Sequence, residues 1–62
     1  MISYDNVPQT GGVKFSFYGL SSDTKPTGSV DGEVILNGST FYEINTKNLY
    51  MFDQENQTWH KQ

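Results

Sequence analysis

The sequence predicts an all-β protein: a small antiparallel sheet, built as a β-meander of three to five short strands, with an extended N-terminal arm. The most frequent residues include Thr, Ser, Asn, Gly, Tyr and Phe, which favour strands and turns. Apolar and polar side chains alternate cleanly in one segment, residues 13–20. No window repeats apolar residues at the three- and four-residue spacing of an amphipathic helix for more than one turn.

The first third of the chain divides into an arm, a strand and a loop. Residues 1–12 are polar and contain a Gly-Gly pair, so they are expected to form the extended arm. Residues 13–20 read VKFSFYGL, and Val13, Phe15 and Phe17 share one side of the predicted strand. Residues 21–32 are rich in Ser, Thr, Asp and Gly and are predicted to form a loop. The expected organisation is an arm at 1–12 and a single small β domain at 13–62.

The C-terminal half contains the meander. Three apolar runs, Thr40–Ile44, Leu49–Phe52 and Thr58–Lys61, are separated by short polar linkers rich in Asn and Asp, which suit hairpin turns. A further strand is expected at Glu33–Asn37, turning at the Asn37-Gly38 dipeptide.

Pairing across the two turns assigns these side chains to two faces. If Ile44 lies opposite Leu49 and Asp53 opposite Thr58, alternation with period two sets the face of every residue between them. One face is aromatic, and the strand at 13–20 can cover one of the two faces of the meander with its apolar side. The predicted core is Val13, Phe15, Phe17, Phe41, Tyr50, Phe52 and Trp59.

The second face is also apolar, with Tyr42, Ile44, Leu49 and Met51 in one patch. A chain of about 60 residues cannot easily cover both faces, so the uncovered one is predicted to be an interface with a copy of itself or with a larger partner. At the edge of such an interface a tyrosine can bury its ring while its hydroxyl stays hydrogen-bonded to water, which favours tyrosines as interface residues. The candidate interface residues are Tyr4, Tyr18, Tyr42, Leu49 and Met51.

Composition limits the partners. The chain has 62 residues and no cysteine, so disulfides and zinc–thiolate sites are excluded, and the single His60 cannot form a metal site alone. Small scaffolds usually need a staple, and by elimination the expected staple is another protein chain. With four lysines, no arginine and a net charge of −3, nucleic-acid binding is not expected. No apolar stretch is long enough for a membrane span, and the N-terminal residues lack the pattern of a signal peptide.

Catalysis has little support in the sequence. The carboxylate pairs Asp31/Glu33 and Asp53/Glu55 suit turns and solubility better than acid–base chemistry, and no serine has an evident partner beyond His60. No cofactor is predicted, and the chain is not expected to be an enzyme. The alternative to a protein interface is a carbohydrate-binding surface, in which Trp59, Tyr50 and Tyr42 would stack on sugar rings.

The string SDTKPTG at 22–28 and the string NGSTFYEINTKNLYMFDQENQTWHKQ at 37–62 resemble a short module of tailed phages and prophages of gut bacteria and Firmicutes. The second part follows the pattern N-G-S-x-F-x-E-x-D-T-x-x-x-Y-x-F-D-x-E-N-x-x-W, with Asn45 where the pattern has Asp and no glycine in the turn after it. The resemblance covers about two-thirds of the chain. The matching residues are Ser22, Asp23, Thr24, Lys25, Pro26, Thr27, Asn37, Gly38, Ser39, Phe41, Glu43, Thr46, Tyr50, Phe52, Asp53, Glu55, Asn56 and Trp59.

This resemblance implies a virion-associated structural protein, made in the host cytoplasm and located on the particle. Capsid decoration or head-fibre attachment is the first expectation, and association with the tail or its fibres is the second. The implied partner is a phage capsid protein or another virion protein, and self-association into a homo-oligomer is expected beside it. The matched residues are turn formers and aromatics, so the resemblance carries over no catalytic set.

Overall fold

The computed structural model of the protein describes residues 2–62, in which every regular element is a β-strand. The fold class predicted from the sequence, all-β, is confirmed. The strands are β1 (Ser3–Gln9), β2 (Gly12–Gly19), β3 (Ser29–Val30), β4 (Glu33–Val34), β5 (Thr40–Glu43), β6 (Asn48–Asp53) and β7 (Thr58–Lys61).

Five strands form one sheet in the order β1-β2-β5-β6-β7, and β3 pairs with β4 in a separate ribbon. Strands β5, β6 and β7 are the predicted antiparallel meander. The expectation of a wholly antiparallel sheet is wrong at one pair, because β2 and β5 run parallel. Parallel neighbours need a crossover of about a dozen residues or more, and residues 20–39 supply it.

The predicted N-terminal arm is extended, and it is the edge strand of the sheet. β1 pairs with β2 along its whole length, from Ser3 opposite Tyr18 to Gln9 opposite Gly12. The two strands are joined by a two-residue turn in which Gly11 has a φ of +87°, a conformation open to glycine at little cost. The predicted boundary between arm and domain therefore falls at the end of a tight hairpin.

The region expected to be a loop followed by one strand contains a second hairpin. β3 and β4 are joined by Asp31 and Gly32, which both have positive φ (52° and 80°), as a type I′ turn requires. The strand expected over Glu33–Asn37 ends at Val34, and the next residue, Ile35, forms a single bridge to Val13 and is fully buried.

The strongest hairpin dipeptide in the sequence, Asn37-Gly38, forms a turn that joins no antiparallel pair. The N–H of Ser39 donates to the carbonyl of Leu36 at 3.3 Å, which closes a four-residue turn. The chain then enters β5 beside β2 and β6. The turn chemistry was read correctly from the sequence, but the strand before it pairs with β3 instead of β5.

The register of the meander agrees with the prediction at the second turn and differs by two residues at the first. Asp53 lies opposite Thr58, as expected, whereas Leu49 lies opposite Tyr42 and not Ile44. β5 ends at Glu43 because its carbonyl accepts the N–H of Lys47 at 2.7 Å, so Ile44 belongs to the turn. A shift of two residues leaves every side chain on its predicted face.

The core lies between one face of the five-stranded sheet and the segment that crosses it. This buried cluster consists of Val13, Phe15, Phe17, Ile35, Phe41 and Phe52. Tyr50 and Trp59, also predicted for the core, are half-buried and pack against its margin together with Ile2 and Val30. β2 was expected to cover one face of the meander, but it is a strand within the same sheet, and residues 20–36 cover the aromatic face instead.

Candidate functional site: the open face of the sheet

The face of the sheet opposite the core brings together four of the five predicted interface residues. Tyr18, Tyr42 and Leu49 lie side by side on β2, β5 and β6, since Tyr18 pairs with Tyr42 and Tyr42 with Leu49. Met51 is two residues farther along β6 on the same face. We call this face the open face and these four residues the open patch.

The open patch is substantially accessible to solvent. Leu49 is 38% exposed and Met51 40%, and Tyr18 is exposed to a similar degree, while Tyr42 between them is half-buried. Leu20 and Ile44, two residues beyond Tyr18 and Tyr42, are exposed as well. The largest contiguous apolar patch on a small soluble protein is often a binding surface.

Side chains that lie opposite one another on neighbouring strands form rows across the open face. The row of Tyr18, Tyr42 and Leu49 contains no charged side chain among these three, and the charged residues of this face lie in the other rows. Lys14 lies over Gly38, with its Cε 3.2 Å from the position of a Cβ on that glycine. Asp53 lies on the far side of Gly38, on β6, and its Oδ2 is 3.1 Å from Nε2 of His60. Hydrogen bonds from Asn56 and then from His60 hold the pKa of Asp53 below its usual value.

Tyr4, the fifth predicted interface residue, lies on the core face. Its ring centroid is 5.1 Å from that of Phe15 and 5.7 Å from that of Phe17, both in edge-to-face geometry. Its hydroxyl donates a hydrogen bond to the carboxylate of Asp31, which raises the pKa of the phenol. Tyr4 therefore connects β1 to the β3–β4 turn and stands apart from the open patch.

An ion pair that sequence reasoning did not single out crosses the margin of the core. Nζ of Lys25 is 2.6 Å from Oε2 of Glu43 and lies 4.3 Å from the ring centroid of Tyr50. The other carboxylate oxygen of Glu43 accepts a hydrogen bond from Thr46 at 2.7 Å. The hydrogen bonds from Lys25 and Thr46 lower the pKa of Glu43. All four residues belong to the phage-module pattern, which was the available signal.

Trp59 packs on the core face of the sheet. Its Nε1 donates to the carbonyl of Pro26 at 2.9 Å, and its ring contacts Phe17, Phe41 and Phe52. Tyr42 lies on the opposite side of the sheet. The structure therefore does not bring together the sugar-stacking group of Trp59, Tyr50 and Tyr42 that the sequence suggested.

One carboxylate of each pair named from the sequence is hydrogen-bonded. Asp31 accepts from Tyr4, and Asp53 accepts from the backbone N–H of Asn56 at 3.2 Å. Residues 2–62 contain no group of three or more His, Asp or Glu side chains placed to hold a metal ion, and no pocket opens among them. Nor does the described part of the chain contain a helix long and apolar enough to cross a membrane.

Comparisons of the chain with protein-family models, with curated proteins and with solved structures find no match.

Proposed function

We propose that this chain is a non-enzymatic structural protein of a tailed-phage particle, a capsid decoration or head-fibre-associated protein that binds through its β-sheet. The observation that carries the proposal is the open patch, an apolar surface on the side of the sheet that the chain leaves uncovered. Fully burying a Leu or Met side chain contributes about 1.5–3 kcal/mol. Covering the patch would therefore stabilise both the chain and the surface it binds.

The roles of the phage-module residues support a structural function. Lys25 pairs with Glu43, Trp59 donates to the carbonyl before Thr27, and Ser39 connects β2 to the crossing segment. Each of these contacts fastens the segment over the core to the sheet beneath it. The resemblance thus follows positions that maintain the fold, and the open face is left to meet the partner.

The proposal is tested on purified particles of a phage that encodes the chain. Particles banded by density and washed at high salt are analysed by mass spectrometry for the 7.0 kDa chain and its copy number. We expect the chain in fixed ratio to the major capsid protein. Finding it in the lysate but not in the banded particles would overturn the proposal.

A matched pair of variants tests whether the open face is used. Leu49→Lys places a charge in the open patch, and Val34→Lys places the same charge on β4, at a residue of similar exposure outside the patch. We expect the amount of chain per particle to fall on the order of tenfold or more for Leu49→Lys, because a buried charge opposes binding. It should stay near wild type for Val34→Lys. Immunogold labelling then distinguishes a head location from a tail location.

A second candidate function, a surface-displayed carbohydrate-binding or adhesion module, is favoured by one observation. Tyr18 and Tyr42 are neighbours on adjacent strands of the open face, where two rings could contact a sugar. The test is titration of the folded chain with host polysaccharide, followed by NMR of the tyrosine rings. Shifts at Tyr18 and Tyr42 at constant oligomeric state would favour this function. Trp59 is a poor reporter because it packs on the core face.

A further inference from the structure

The strand order of the sheet is symmetric about β5. β2 and β6 flank it, and β1 and β7 lie outside them. A second copy laid face to face on the open face, with a two-fold axis running along β5, would place β2 of one copy over β6 of the other. Each outward-facing row of residues would then meet the same row of its partner in reverse order.

The row of the open patch is suited to such a pairing. Tyr42 on β5 would lie at the axis, and Tyr18 of each copy would lie over Leu49 of the other. The three residues are uncharged, so bringing two copies together buries no charge in this row. Packed sheets keep their strands within about 30° of each other at a separation of about 10 Å, which preserves these neighbours close to the axis.

The charges on the open face are complementary under the same axis. Lys14 on β2 and Asp53 on β6 flank Gly38 in one row. Reversal of that row places Lys14 of each copy opposite Asp53 of the other, so the dimer gains two equivalent ion pairs between the copies. In the row between, Asp5 on β1 falls opposite His60 on β7. The net charge of −3 per chain is thus not concentrated where the copies meet.

The area available also fits a second copy. Strands about 4.8 Å apart and rows about 6.8 Å apart give the open patch, with Leu20 and Ile44, a few hundred Å². A specific interface needs about 1,000 Å² in total, or about 500 Å² from each partner. The rows that carry Lys14 and Asp53, and Asp5 and His60, adjoin the patch and add to the area that each copy would bury.

We infer that the open face binds a second copy of this chain, forming a two-fold dimer in which Tyr42 lies near the axis and Lys14 of each copy faces Asp53 of the other. This inference rests on the proposed function only in taking the open face as a protein-contact surface. The open face cannot contact a particle and a second copy at the same time, so the dimer is the form of the free chain and a chain attached to a particle through this face is released from it.

The first test is the solution mass of the full chain over a concentration series, by light scattering or sedimentation. We expect a concentration-dependent approach to twice 7.0 kDa. Leu49→Lys should remain a monomer over the same range, and Val34→Lys should associate like wild type. Circular dichroism and the fluorescence of Trp59, which lies away from the open face, verify that each variant is folded.

The second test uses charge reversal to examine the axis itself. Lys14→Glu opposes like charges in its own dimer, and so does Asp53→Lys, so each variant alone should associate on the order of fivefold more weakly. Mixed together, the two variants restore both ion pairs and should form a heterodimer at near wild-type affinity. Asp53 also accepts a hydrogen bond from Asn56, so Asp53→Lys could fail to fold. In that case Asp53→Asn removes the charge, keeps an oxygen that can accept from Asn56, and should also weaken association.

The outcomes separate the dimer from the proposed function. A wild-type chain that stays monomeric at millimolar concentration, a trimer, a dimer indifferent to Leu49→Lys, or a charge-reversed mixture that does not recover would each overturn the inference. A chain that stays monomeric in solution and is nevertheless present in banded particles would overturn the dimer and leave particle attachment standing. A dimer that is absent from particles would do the reverse.

Discussion

Single side chains hold the crossing segment of this small protein against its sheet. Lys25 combines an ion pair to Glu43 with contacts to the faces of two aromatic rings, Phe41 and Tyr50. Such a lysine covers apolar surface with its methylene stem and satisfies its charge at the tip. A few contacts of this kind are a large part of the total stability, because a domain of this size has a small free energy of unfolding.

Glu43 is expected to make the fold sensitive to acid. Its pKa in the folded chain lies below the unfolded value of about 4.3, so its stabilising effect is present above that pH and is lost as the pH falls through the folded-state pKa. Glu43→Gln should therefore show a smaller loss of stability between pH 7 and pH 3 than wild type, measured by urea unfolding. Glu55→Gln, at an exposed position, should follow wild type. Parallel curves for wild type and Glu43→Gln would contradict this role.

Trp59 is expected to matter for stability although it is half-buried, because its ring packs against the buried cluster. Trp59→Ala removes contacts with three core phenylalanines and should cost about 3–5 kcal/mol, enough to unfold the meander. Trp59→Phe keeps an aromatic ring and loses the hydrogen bond to the carbonyl of Pro26, so it should lower the free energy of unfolding by about 1 kcal/mol. Thermal unfolding followed by circular dichroism measures both. An unchanged transition in Trp59→Ala would show that the ring is not part of the core.

At the scale of elements, the junction of β2 with the crossing segment determines the shape of the sheet. Before β5 begins, Ser39 takes the place of a ladder partner: its hydroxyl accepts the N–H of Phe15 at 3.0 Å and donates to the carbonyl of Leu36 at 2.8 Å. Beside it, the N–H of Leu36 donates to the carbonyl of Val13. The Ser39 side chain thus extends the pairing of β2 past the first residue of β5 and gives the buried N–H of Phe15 an acceptor.

Ser39→Ala should destabilise the chain by about 1–3 kcal/mol, because it leaves the buried N–H of Phe15 without an acceptor. Amide hydrogen exchange should show the loss of protection at Phe15 directly. Ser16→Ala, a half-buried serine on the open face of the same strand, provides the control and should change little. Retained protection at Phe15 in Ser39→Ala would mean that another acceptor replaces the hydroxyl.

At the scale of the whole molecule, β1 completes the domain. It covers the edge of β2 and places Tyr4 on two core rings, so removal of residues 1–11 should leave a fragment that is largely unfolded at 25 °C. Circular dichroism and NMR dispersion of the fragment test this, and a synthetic peptide of residues 1–11 should restore folding in trans. A fragment with a thermal transition like that of the full chain would show that residues 12–62 fold without β1.

Much of the local structure could be predicted from the sequence. Alternation in VKFSFYGL, the polar linkers of the meander and the Asp53–Thr58 turn are short-range signals, and they set strands and faces correctly. The open patch followed from the same alternation. The error of two residues at the Leu49 turn did not change it, because an even shift preserves the face.

The amino-acid sequence by itself determined the strands β2, β5, β6 and β7 and the apolar side of each, because these depend on neighbours within a few residues. It indicated β1 only as an extended arm and placed β3 in a loop. Only the tertiary structure decided that β2 pairs in parallel with β5, that residues 20–36 cover the core, and that Tyr4 packs on the core face of the sheet. The ion pair of Lys25 with Glu43 is likewise set by the tertiary structure. These features join residues far apart in the chain, and their energies come from packing and paired charges that no local pattern records.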